Sequence, residues 1–272
     1  MPSQVSAPLA KFFVDRGPHL AAMIAYFGLL SSVSLIFLAL ALFGWTGRAE
    51  ESSYLVRELE RLFPERPIDE IVRVVEALTA NATALGVIGG AFLLWTSLSL
   101  FSVLESAFNI VYGLPNRPFL RGKGVATLFM MGSLIVLFVA LVIGAAGFDV
   151  LRRFAPGLAD NAFVGYGLSV LVSTGAVFVF LVVAYERLTN MRLSFKTVWL
   201  GAAVGAVLLQ LTFQVLPLFI RFSGDVVAVQ ALGTSALLLV WLYVMANVIV
   251  LGAEINWWRQ NDREEEVIAG LA

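Results

Sequence analysis

The residues best suited to chemistry in this sequence stand in short rows of polar side chains among long apolar runs. Ser102, Glu105, Asn109 and Tyr112 follow one another at intervals of 3, 4 and 3, the spacing that puts side chains on one side of an α-helix. Gln210 and Gln214 are 4 apart, with Pro217 3 further on. Tyr243, Asn247 and Glu254 are separated by 4 and 7, and Asn256 follows shortly after. Carboxylates, amides and phenols can pass protons, hold a head group, or tie neighbouring helices together. The rows therefore admit two readings: the lining of a polar cavity, or hydrogen bonds between packed helices. Glu105 and Glu254 have a third option, since each lies near the end of its apolar run, within reach of interfacial water or of an Arg or Lys.

Much other chemistry is ruled out by composition. There is no cysteine and a single histidine, His19, so thiolate catalysis, Cys-based metal sites and a His-Glu-x-x-His zinc site cannot be built. No Gly-x-Ser-x-Gly elbow and no phosphate-binding loop occurs, so serine hydrolysis and nucleotide-driven pumping lack their usual parts. An acid–base enzyme would have to use Glu105 or Glu254. The loops are too short to carry a basic face with stacking aromatics, which excludes a nucleic-acid partner. We expect no catalytic residues, no metal and no cofactor.

The elements that position these rows are legible from hydropathy. Of the 272 residues 60% are hydrophobic and 14% charged, and the mean hydropathy is +0.89, far more apolar than a soluble domain. Six stretches lack any Asp, Glu, Lys or Arg: 20–45, 77–104, 124–148, 161–185, 197–220 and 226–253. Each exceeds the roughly 20 helical residues needed to cross a hydrocarbon core, and none alternates as the strands of a membrane barrel do. The expected fold is all-α: one polytopic membrane domain over 1–272 with six transmembrane helices. The first stretch, at 26 residues, is too long for a signal-peptide core and is expected to remain as a span.

Six spans put both termini on one side. That side carries 10 Lys and Arg against 8 on the other, and 5 of those 8 fall in segment 46–76 together with eight acidic residues. The positive-inside rule then places both termini, including a tail over 254–272, in the cytoplasm. In and just after 46–76, Leu55, Leu59, Leu62 and Phe63 share one helical face and Ile68, Ile71, Val72, Val75 and Leu78 another, with Pro64 and Pro67 between them. An extracytoplasmic amphipathic helical hairpin between the first and second spans is expected. It is a connector on the outer leaflet, a lid over a cavity or a docking surface for an envelope partner.

Several motifs resemble the YihY/BrkB family of bacterial inner-membrane proteins, historically mislabelled ribonuclease BN, and the likeness covers nearly the whole chain. Ala21 to Phe27 is similar to the family's Ala-rich entry into the first span, although Ser34 stands where the family usually has proline. Phe108-Asn109-Ile110-Val111-Tyr112-Gly113 looks like its Leu-Asn-x-x-Trp/Tyr-Gly turn. Trp241-Leu242-Tyr243 and Gly252-Ala253-Glu254-Ile255-Asn256 resemble its most specific signature, whereas Glu186 to Asn190 departs from the usual Tyr-Arg-x-x-Pro-Asn. The resemblance implies six spans, cytoplasmic termini and a place in envelope biology, with lipid or lipopolysaccharide-precursor transport among the suggested roles. It supplies no catalytic residues.

The expectation for function is a transporter or flippase-like protein for lipids or other amphiphiles in the bacterial inner membrane, not driven by ATP. Membrane lipids are then its partners. The alternative is a non-transporting envelope interaction protein that docks a partner through segment 46–76. The oligomeric state is not readable from the sequence.

Overall fold

The computed structural model describes residues 6–45, 82–133, 162–223 and 234–270, and every regular element among them is helical. In chain order these are α1 (Ser6–Val14), α2 (Gly17–Trp45), α3 (Ala82–Val111), α4 (119–133), α5 (Ala162–Leu188), α6 (Phe195–Ser223) and α7 (Thr234–Gly270). The expected hairpin over 46–76 and the greater part of the expected third span lie outside the described residues.

Local chemistry explains where the helices break. Arg16 turns the chain with a positive φ of 58° between α1 and α2. The next residue must be Gly17, because a Cβ there would fall 2.3 Å from the Phe12 ring. At the end of α3, Gly113 takes φ 65°. The Leu114 N–H bonds Asn109 O at 2.7 Å and the Gly113 N–H bonds Ile110 O at 3.0 Å, a Schellman cap that satisfies carbonyls left free by the helix end. Pro115 follows and prevents the helix from resuming. Pro217 does not end α6, which continues to Ser223. Segment 254–270, read from the sequence as a tail, is a continuation of α7.

α7 packs against α1, α2 and α6, while α2 also packs on α3, and α5 on α6. The tightest seam joins α6 to α7. A Cβ on Gly201 would lie 2.0 Å from the Gly252 carbonyl oxygen, and one on Gly252 would lie 2.3 Å from the Tyr185 hydroxyl. Small residues let the backbones meet, and beside them Tyr185 on α5 donates to Ile249 O on α7 at 2.8 Å.

Three stretches among the described residues are long and apolar enough to cross a membrane: Val164–Leu188, Phe195–Val215 and Ala236–Asn261. Large apolar side chains such as Trp95, Leu128, Leu171, Leu211 and Val240 face outward, while Thr96, Glu105, Asn109, Thr189, Glu254 and Asn256 are buried. A protein that exposes its greasy residues and hides its polar ones suits lipid as solvent.

Candidate functional site

The polar rows resolve into separate clusters with different degrees of pairing. The first is built on the last turns of α3. After the Schellman turn the chain folds back along the row, so residues 116–123 run past the helix they have just left. Glu105, 4% exposed, meets the Arg117 guanidinium at 3.0 Å from Nη1 to Oε1. The same guanidinium donates to Leu188 O at 2.6 Å, Thr189 O at 2.7 Å and Arg187 O at 3.2 Å. It therefore caps the C-terminal end of α5, where carbonyls lack partners and a cation is favoured.

Asn109 is fully buried and uses both ends of its amide. Its Oδ1 accepts the Asn190 N–H at 2.7 Å, and its Nδ2 donates to Asn116 Oδ1 at 3.0 Å. Ser102 donates to Leu98 O at 2.6 Å and accepts from Lys123 Nζ at 3.1 Å. Ser102, Glu105 and Asn109 thus pin the 116–123 segment and the α5–α6 turn onto α3.

The second cluster lies beneath α1. Glu254 on α7 is 0% exposed, and its Oε2 is 3.1 Å from Lys11 Nζ. This is a charge contact without hydrogen-bond alignment, and Oε1 also accepts no hydrogen bond. Lys11 is the hub: it pairs with Asp15, donates to Val111 O at 2.7 Å and lies 4.2 Å above the Trp257 ring. The Tyr112 hydroxyl is buried without a hydrogen-bond partner. Burial, and then the Glu254 carboxylate, hold that phenol above its ordinary pKa, so it stays protonated. Asn256 accepts the Gly201 N–H at 2.8 Å through Oδ1, while its Nδ2 has no partner. Glu254 and Tyr112 thus lie together with bonding capacity to spare, while Asn256 faces α6 on the other side of α7.

The remaining candidates sit elsewhere. Gln210 accepts from Ser173 at 3.2 Å and Gln214 from Tyr166 at 2.5 Å, joining α6 to α5. Asn247 bonds the carbonyl of Tyr243 on its own helix at 2.7 Å. Sequence reasoning missed Lys11, Arg117 and Asn190. Their charge or amide was visible, but the partner they reach is set by the fold. Among the described residues, no three His, Cys, Asp or Glu side chains gather to hold a metal.

A cavity of about 510 Å³ opens between α4 and α5, lined at one end by Arg117, Arg121, Glu186 and Arg187 and at the other by apolar residues including Val125, Phe129 and Val183. None of the ten sequence candidates is among its lining residues.

A family model described as virulence factor BrkB matches residues 9–270. A UPF0761 membrane protein of Pseudoalteromonas translucida is 28% identical over 242 residues, covering 87% of this chain and 79% of the relative. A UPF0761 membrane protein of Vibrio vulnificus is 24% identical over 268 residues, covering 91% and 79%. Other relatives are longer: the chain spans 61% of the UPF0761 membrane protein of Aromatoleum aromaticum, at 25% identity over 252 residues and 90% of this chain. No solved structure matches.

Proposed function

The chain belongs to the BrkB family, and from that premise we propose that it is a transporter or flippase-like protein for lipids or other amphiphiles in the bacterial envelope. It crosses the inner membrane six times, holds both termini in the cytoplasm and works without ATP. The observation that carries this reading is the Glu254 cluster. Burying a carboxylate at the end of a span costs several kcal/mol unless it is fully paired. Glu254 has one imperfectly aligned cation, and an ionisable group held at such a cost marks a functional site.

The element that holds it is α1, a helix of nine residues anchored to the bundle through Lys11. Lifting α1 uncovers Glu254 and Tyr112 together. Their unused donors and acceptors then meet a head group, while the apolar outer faces of the helices stay against its acyl chains. The sequence contains no phosphate-binding loop, so the gradient of the amphiphile or of an ion supplies the drive.

Reconstitution into vesicles carrying a labelled phospholipid tests the assignment of residues. Glu254→Ala is expected to slow transfer between leaflets most. Glu105→Ala and Asn109→Ala slow it only as far as they lower the folded fraction, because their hydrogen bonds hold the scaffold. Transfer unchanged by Glu254→Ala removes Glu254 from the mechanism.

A further inference from the structure

We infer that the cavity between α4 and α5 binds an anionic phospholipid, its phosphate at the arginine end and the upper part of an acyl chain against the apolar wall. The inference does not depend on transport, and the cavity shares no residue with the Glu254 cluster.

Charge comes first. Three arginines and one glutamate line one end. Arg117 is already committed to Glu105 and three carbonyls. Arg121 and Arg187 are exposed and their side chains make no ion pair or hydrogen bond among the described residues. Even with Glu186 beside them, the cavity mouth keeps a net positive charge and free guanidinium donors, the geometry that takes phosphate oxygens in pairs. Basic pockets between membrane helices select anionic head groups for this reason.

Shape comes second. On α4 the lining residues run Arg121, Val125, Leu128, Phe129 and Gly132, so the wall passes from charged to apolar along a single helix face. At about 1.5 Å per residue, Arg121 to Gly132 spans roughly 16 Å, close to half of the roughly 30 Å hydrocarbon core. The wall is one leaflet deep. Leu128 is 73% exposed, so the side faces lipid, and a Cβ on Gly132 would meet no atom within 4 Å, so the deep end is open. A free phosphate would use the arginine mouth and leave this apolar depth empty; a phospholipid uses both.

Native mass spectrometry of the purified full chain, titrated with phosphatidylglycerol or phosphatidylcholine of identical acyl chains, tests the site, with inorganic phosphate as a third arm. Phosphatidylglycerol is expected to bind in preference. A basic residue near an anionic lipid contributes about 1 kcal/mol, or about fivefold in affinity, so the double variant Arg121→Gln/Arg187→Gln should bind phosphatidylglycerol about 25-fold more weakly and phosphatidylcholine as before. Gly132→Leu starts from a Cβ that meets no atom within 4 Å, puts bulk at the deep end and should abolish retained phosphatidylglycerol while the thermal midpoint holds; it carries the test if the arginine variants fold poorly. Equal binding of the two lipids, phosphatidylglycerol binding indifferent to the arginines, or displacement of the lipid by equimolar inorganic phosphate overturns the inference. Wild-type vesicles that move no lipid would sink the transport reading and leave a charge-selective site standing.

Discussion

Two buried carboxylates are held in different ways, and the difference decides what substitution does to them. Glu105 has a guanidinium at 3.0 Å that also caps α5. Removing the guanidinium strands a buried carboxylate and several carbonyls, so Arg117→Ala should destabilise by about 3 kcal/mol or more, well beyond Glu105→Gln, which keeps shape and leaves the cap in place. Thermal unfolding in detergent ranks the two, and equal losses would show that the cap contributes nothing. Among the described residues Lys11 is the cation paired with Glu254, so Lys11→Met should cost a similar amount. Adding Glu254→Gln should restore part of it, because the stranded Glu254 charge is one share of the penalty and the Asp15 and Val111 O contacts of Lys11 are the rest. An additive double variant would contradict this. The sequence shows Glu105 and Glu254 as outliers in apolar runs, since their depth is written in hydropathy. It does not show that Lys11 and Glu254 meet, because that pairing joins opposite ends of the chain and depends on how α1 docks.

At the scale of elements, the helix limits follow from local chemistry wherever a cap is coded in the sequence. Gly113 and Pro115 stop α3, and the Tyr112-Gly113 turn is visible as a motif. The exit from the last apolar run was harder to read. Charges from Arg259 onward mark the end of a hydrophobic stretch, but Arg and Glu are good helix formers and Asp is tolerated, so α7 continues to Gly270. Glycines separate into two kinds that the sequence alone does not distinguish. Gly201→Ala puts a methyl 2.0 Å from Gly252 O and must push α6 from α7, at a cost of about 1–3 kcal/mol. Gly132→Ala meets open space and should be neutral or slightly stabilising, since alanine favours the helix by up to about 1 kcal/mol. Comparing the two midpoints by thermal unfolding checks the seam, and a Gly201→Ala variant as stable as wild type would mean that the helices are not in contact there.

For the whole molecule, the family match over residues 9–270 and helices with apolar outer faces make it a membrane protein of the BrkB family, and any function has to be argued from its sites. Hydropathy made the helical class legible because the bilayer leaves no other way to satisfy backbone groups over such long apolar runs. The cavity between α4 and α5 was not legible, because Arg121 and Arg187 lie far apart in sequence and read only as loop charges that orient the protein. Two features now bear on function: a strained carboxylate under a small helix, and an arginine-mouthed cleft one leaflet deep. Both are what the proposed handling of amphiphiles calls for. The most direct measurement is lipid transfer between leaflets in vesicles containing the purified full chain, without nucleotide, against empty vesicles of the same composition. Transfer faster than in empty vesicles is the predicted result; transfer at the same rate would contradict the account.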